Sequence, residues 1–357
     1  MQYFKYFRFA TFAAVAVFTT LFVTVSLQAG LAAAVTVLYL AATLSIVEVA
    51  VSFDNAVVNA THLHRMNAFW RKMFLTVGIF IAVFGMRFFL PLAIVAILGD
   101  MSIVESFTLA ANDGDKFAAL IKESADSVHG FGGAFLLMVA LTFFVDHEKD
   151  NHWIPVLEKP LQKLGELSAK VHLNVVKAVE TAITLGFAYV VYAVTDSIEF
   201  MYAAIAGVAV FFAVDVIKVL IEKLDERLQS SKAPWIAGGL GTFIYLEILD
   251  ASFSFDGVIA AFAISNNLFV IAAGLGVGAL FVRSMTIMLD ETGTLKTFRF
   301  MENGAFVAIL VLAATMFINL FYHLPEWFVA VTSVLAIGGA TYHSWVLDKR
   351  EALQAIQ

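Results

Sequence analysis

A chain of 357 residues with 61% hydrophobic side chains, only 14% charged ones and a mean hydropathy of +0.87 is a polytopic membrane protein rather than a soluble enzyme. Its formal charge of −7 is divided between loops and apolar tracts and does not suggest nucleic acid as a partner. There is no cysteine, so disulfides, thiolate metal sites and iron–sulfur clusters are excluded, and any metal must be held by oxygen or imidazole.

A transmembrane helix needs roughly 20 apolar residues, and about ten such tracts follow one another along the chain. The first, Phe9 to Leu27 behind Lys5 and Arg8, reads as a span; a signal peptide with Ala29 before the cleavage point is the alternative. The later tracts are predicted at 31–61, 73–98, 129–145, 178–195, 200–220, 235–262, 268–289, 305–322 and 327–346. Lys and Arg concentrate after 61, between 146 and 177, between 218 and 232, and at Lys349 and Arg350. By the positive-inside rule both termini are cytoplasmic, in what reads as a bacterial inner membrane. Residues 99–128 are rich in acids and read as an external loop, and 195–199, with Asp196 and Glu199, as a tight external turn. The middle of 146–177 is predicted to be an amphipathic helix, and His62, His64 and Arg65 are expected at the headgroups.

Two of the tracts carry the same polar string. Glu48, Ser52, Phe53, Asp54 and Asn55 in the first recur as Asp250, Ser254, Phe255, Asp256 and Gly257 in the second. A carboxylate in hydrocarbon is costly unless it is paired, protonated or facing water, so both strings mark a candidate functional site. A second echo follows each motif: Gly78 precedes Arg87, and Gly274 precedes Arg283, at the same spacing. On the predicted topology the two motif spans run antiparallel. That is the plan of an inverted-repeat secondary transporter with its site at the repeat interface. The expected organisation is an N-terminal span (1–30), a first repeat (31–145), a cytoplasmic loop plus two linking spans (146–234), a second repeat (235–322) and a C-terminal span and tail (323–357). The fold class is therefore all-α and polytopic.

Glu48, Ser52, Asn55, Asn59 and His62 line one helical stripe, whereas Asp54 lies about 120° from Glu48 on an ideal helix. Tract 31–61 would also be about 46 Å long if wholly helical, against a hydrocarbon core of roughly 30 Å. A break near Ser52–Asn55 is expected, and Gly257 permits the same irregularity in the second copy. Glu48, Asp54, Asp250 and Asp256, less the charges of Arg87 and Arg283, leave about two negative charges. With Ser52, Asn55 and Ser254 as neutral oxygen donors, this set suits one divalent cation of the hard class, Mg²⁺, Ca²⁺ or Mn²⁺. A structural brace is the alternative. Glu247, one turn before Asp250, is read as a coupling acid or as a partner for Arg87 or Arg283. Gly274, Gly276 and Gly278 are read as permitting close helix packing rather than as a phosphate loop.

These motifs resemble those of the TerC family of integral membrane proteins, most closely its DUF475 branch, over about residues 31–322. The resemblance implies a divalent-cation exporter, Mn²⁺ being the leading cargo and Ca²⁺ a further one, with tellurite resistance as the historical label. It maps Glu48, Asp54 and Asn55 onto the first motif and Asp250 and Asp256 onto the second. No permanently bound cofactor is expected, and the expected partners are the lipid bilayer, the cargo cation and a proton or sodium counter-ion. A non-transporting scaffold for metal delivery or stress response is the main alternative, and an intramembrane aspartyl protease a remote one. The chain carries no G-x-x-x-x-G-K-[ST] loop for ATP.

Overall fold

The computed structural model describes residues 3–63, 66–146, 151–156, 158–160, 162–163, 175–228 and 239–354, and of 222, 224–228, 255, 256, 296, 326 and 352 the backbone only. Among the described residues the regular elements are all helices. We number them α1 (Phe4–Ala29), α2 (Leu31–Val51), α3 (Phe53–Leu63), α4 (Ala68–Leu98), α5 (Ile103–Asn112), α6 (Gly114–Glu123) and α7 (Ala125–Val145). After these come α8 (Val175–Thr195), α9 (Ile198–Leu228), α10 (Leu240–Ile264), α11 (Leu268–Glu291), α12 (Met301–Ile318) and α13 (Glu326–Gln354).

Among the described residues eight helices are long and apolar enough to cross a bilayer: α1, α2, α4, α7, α8, α11, α12 and the Ile198–Ile221 part of α9. The sequence predicts two more. Both exist as helices; α10 carries three acids, Glu247, Asp250 and Asp256, along its length, and α13 ends in Asp348, Lys349, Arg350 and Glu351.

Punctuation follows local chemistry. Gly30, at φ +87°, separates α1 from α2 in a conformation that side chains with a Cβ rarely adopt. Asp196, at φ +57°, makes the sharp turn between α8 and α9 that the short 195–199 connection calls for. The expected loop 99–128 is instead two short helices. Ser102 and Glu105 form a reciprocal capping box at the start of α5, and the Asp113 side chain accepts the Lys116 N–H at the start of α6. Polar composition there reflects capped, half-exposed helices rather than irregular chain. His64 and Arg65 lie outside the described residues, as do 164–174 of the stretch whose middle is predicted to be an amphipathic helix; of that middle, 155–156, 158–160 and 162–163 are described and helical.

The chain forms two compact units. The first comprises Met1–Ala56, His62–Ala125 and Lys218–Met288. In it α2 lies against α11 through glycine: a Cβ on Gly274 would meet Leu44 Cβ at 2.7 Å and the Ala41 carbonyl at 2.8 Å. The Ser45 hydroxyl seals the contact, bonding the Gly274 carbonyl at 2.7 Å. Removing bulk at such a crossing lets backbones approach and stands in for the hydrophobic drive that lipid does not supply. This confirms the packing role read for Gly274 and Gly278.

The second unit comprises Val57–Thr61, Asp126–Ile217 and Leu289–Gln357. It too is built on small residues: a Cβ on Gly133 would meet Phe317, and one on Gly304 would meet the Ala336 carbonyl at 2.8 Å. Phe143 and Phe306 stack in parallel, with ring centroids 3.7 Å apart. A buried ionic group sits here as well: Lys177 lies 3.3 Å from Glu180, which accepts a hydrogen bond from Thr142 at 3.1 Å. Glu180 was not among the residues picked out from the sequence, although an acid inside an apolar tract was the available signal.

Candidate functional site

The first motif breaks where its length and periodicity require. Ser52 leaves the helical region at φ −90°, ψ 20°, ending α2 and letting α3 start at Phe53. The break is economical, because the Ser52 N–H still reaches the Glu48 carbonyl and the Ala56 N–H the Ser52 carbonyl, at 2.9 and 3.2 Å. The Ser52 hydroxyl turns inward to donate to Glu48 Oε1 at 3.0 Å.

Glu48 and Arg87 form an ion pair with both side chains buried, at 4% and 3% exposure. Arg87 reaches it from a stretch of α4 wound as π-helix, over Phe74–Gly78 and again over Ile81–Phe89. Its other terminal nitrogen donates to the Ala82 carbonyl, five residues back, at 2.8 Å. The guanidinium therefore serves two acceptors at once. On the far side, Gly278 of α11 presents no side chain to the Glu48 stem; a Cβ there would lie 2.6 Å from Glu48 Cβ and Cγ.

The second motif does not break. α10 runs without interruption through Gly257, contrary to the expectation of a matching irregularity. A Cβ on Gly257 would lie 3.5 Å from Glu48 Oε2, an ordinary contact. The two copies meet at Asn55, whose side-chain amide donates to Asp250 Oδ1. Asp250 also interacts electrostatically with Glu48, Arg87 and Arg283. Glu247 lies within the field of Asp250 and Arg283, and a Cβ on Gly78 would collide with its Oε1.

Of the predicted residues, the fold thus brings together Glu48, Ser52, Asn55, Arg87 and Asp250, with Glu247 and Arg283 beside them. Asp54 is buried at 1% exposure and accepts the backbone N–H of its neighbour Asn55 rather than bonding Glu48, Arg87 or Asp250. Ser254 is buried with its hydroxyl unpartnered. The Asp256 side chain lies outside the described residues. Among the described residues no three acidic or imidazole groups are gathered closely enough to hold a metal ion.

Several polar atoms of the site are buried without a partner: Asp54 Oδ2, Asn55 Oδ1, Glu247 Oε1, Ser254 Oγ, and Arg283 Nε and Nη2. Sequence reasoning missed Ser45, one turn before Glu48, and Phe74, whose ring lies 4.4 Å from the Arg283 guanidinium carbon. Ser45 falls on the stripe already drawn through Glu48. Nothing in a phenylalanine-rich sequence marks Phe74 out.

Comparison with known proteins follows the same lines. The family model described as "Protein of unknown function (DUF475)" matches residues 53–351. That range holds every predicted site residue except Glu48 and Ser52. The "Uncharacterized membrane protein YceF" of Bacillus subtilis (strain 168) is 30% identical over 153 residues, or 39% of this chain. The match takes in 57% of that relative, so the chain spans little more than half of its length. No solved structure matches.

Proposed function

The chain belongs to the DUF475 family, a TerC-type family of multi-pass membrane proteins, and from that starting point we propose that it is a secondary transporter, not an enzyme, that exports a divalent cation. Mn²⁺ is the first candidate cargo and Ca²⁺ the second. The observation that carries this reading is the concentration of buried oxygen groups on α2, α3 and α10, several of them without a partner. Unpaired acceptors are expensive in an apolar medium, and a fold that tolerates them has a use for them. Carboxylate, amide and hydroxyl oxygens are the donors that hard divalent cations prefer.

In the present arrangement Glu48 is held by Arg87 and Asp250 by Asn55. Gathering ligands around a cation therefore requires these acids to exchange partners, and alternating access supplies such an exchange. We read the two motif-bearing segments as inverted repeats, in a bacterial inner membrane with both termini cytoplasmic. Protons or sodium are the natural counter-ions for a carboxylate site, a reading tested by imposing each gradient in turn.

The deciding experiment is Mn²⁺ flux into liposomes carrying the purified protein, compared with Asp250→Asn, Asp54→Asn and Asp256→Asn. Asparagine at 250 can still accept the Asn55 amide, so that variant removes charge and leaves the bond. Saturable flux in the parent and its loss in Asp250→Asn is the expected result. A parent that moves neither Mn²⁺ nor Ca²⁺, or variants that transport normally, would overturn the assignment and favour a scaffold.

A further inference from the structure

The two arginines at equivalent spacings are used differently. Arg87 is saturated, pairing with Glu48 and bonding the Ala82 carbonyl. Arg283 is also buried, at 9% exposure, yet among the described residues its Nε and Nη2 have no hydrogen-bond partner. Its guanidinium rests against the Phe74 ring at 4.4 Å, while Asp250 and Glu247 remain within its electrostatic reach. Asp250 is held instead by a neutral amide, and Glu247 Oε1 has no partner. A buried guanidinium that leaves donors idle beside two acids, one of them idle in turn, is set between two positions: on the ring, or on the carboxylates.

We propose that Arg283 is the tethered competitor of the transported cation. On Phe74 it leaves Asp250 and Glu247 free to take the cargo; swung onto them, it displaces the cargo and occupies the acids while the site is empty. The aromatic face makes the parked position tolerable, because a desolvated guanidinium over a ring recovers part of what it lost with water. A planar donor fork also suits a return to two carboxylates better than a point charge would. The site thus carries its own release step. Any proton or sodium exchange acts in addition, on the acids that Arg283 does not reach. This inference rests on the cation-carrier reading above.

Its test is the concentration dependence of Mn²⁺ flux in proteoliposomes for the parent, Arg283→Gln, Arg283→Lys and Phe74→Leu. Without the competitor, Arg283→Gln holds cargo longer, so KM and maximal flux both fall, by about tenfold, the effect of some 1.4 kcal/mol of lost competition. Arg283→Lys keeps a charge on a flexible stem and restores much of the maximal rate. Phe74→Leu removes the resting place, drives Arg283 onto the acids and raises KM. Saturable flux in the parent with KM unchanged or raised in Arg283→Gln would overturn the competitor while leaving the carrier standing. If Arg283→Gln does not fold, an unchanged KM in Phe74→Leu overturns the competitor equally. Absence of flux in the parent defeats the carrier reading itself, and the competitor with it.

Discussion

The first motif and the helix that follows it (31–98) are irregular, with a break at Ser52 and π-winding over Phe74–Gly78 and Ile81–Phe89; the second motif and its follower (240–291) are plain α-helix apart from the turn that joins them. The irregular half pairs Glu48 with Arg87 but leaves one oxygen of the buried Asp54 unpartnered. The regular half leaves Glu247 Oε1 and two nitrogens of Arg283 idle. Local backbone distortion accompanies the pairing of the first acid with its arginine in one copy of the repeated string. Among the described residues the undistorted copy leaves the equivalent pair without a hydrogen bond between its members. A π turn closes on the fifth residue back instead of the fourth, so every side chain beyond it is rotated relative to a continuous α-helix.

The largest test of this contrast is stability. Glu48→Gln leaves Arg87 buried opposite a neutral amide, and breaking one side of a buried pair destabilises by about 3–5 kcal/mol. Arg283→Gln removes a buried charge that has no hydrogen-bonding partner on two of its nitrogens, so its effect should be small or stabilising, within about 1 kcal/mol. Thermal unfolding of the two variants in the same detergent checks this. Equal losses would mean that the two halves are held by their charges alike.

How much of this was legible in the chain can be judged residue by residue. The all-helical membrane fold, the turn at Asp196 and the break at Ser52 follow from apolar length, helical period and a short polar connection, all of which are local properties. The break was predictable because 31–61 is too long for one span and carries its acids on different faces. The continuity of α10 was not, since glycine at 257 permits a kink without requiring one. The distinct fates of Arg87 and Arg283 were illegible for a related reason: both stand nine residues beyond a glycine, and the stretch before Arg87 is wound as π-helix whereas that before Arg283 is plain α-helix. The apolar composition of both stretches does not announce that difference. Asp54 shows the other side of the problem, an acid that the motif places beside Glu48 and that is bonded instead to the next backbone N–H.

Glycine offers a finer probe of the same contrast. Gly278→Ala would set a methyl group 2.6 Å from the Glu48 stem and 3.0 Å from the Ser45 carbonyl, neither of which is the free end of a flexible chain. Overpacking of this kind costs about 1–3 kcal/mol, and displacing Glu48 should also weaken its hold on Arg87. Gly257→Ala meets only Glu48 Oε2 at 3.5 Å, an ordinary contact, in a helix that is already continuous. Gly186→Ala, in α8, meets nothing within 4 Å. Both of these should be neutral or stabilising by up to about 1 kcal/mol through helix propensity. Marked destabilisation by Gly257→Ala would argue that the second motif also needs an irregular backbone, and the contrast between the halves would fail.

The smallest effect concerns an acid outside the membrane spans, where water replaces the fixed partner that Glu48 needs. Glu105 is exposed, and the Ser102 N–H and hydroxyl bond its carboxylate at 2.7 and 2.9 Å, holding its pKa below the ordinary glutamate value. A depressed folded-state pKa contributes stability that is present above the unfolded pKa, about 4.3, and lost as pH falls through the lower folded value. Amide protection in the first turn of α5 should therefore decline only under acid conditions, once intrinsic exchange rates are allowed for. Glu105→Gln, whose amide oxygen can accept the same bonds without titrating, should remove that decline. Its persistence in the variant would place the pH sensitivity elsewhere. Either way the change stays within one capped turn, because a solvated carboxylate that loses its partners regains water. Glu48, buried between Arg87 and Gly278, has no such recourse, and for that reason one half of the site had to be built around it.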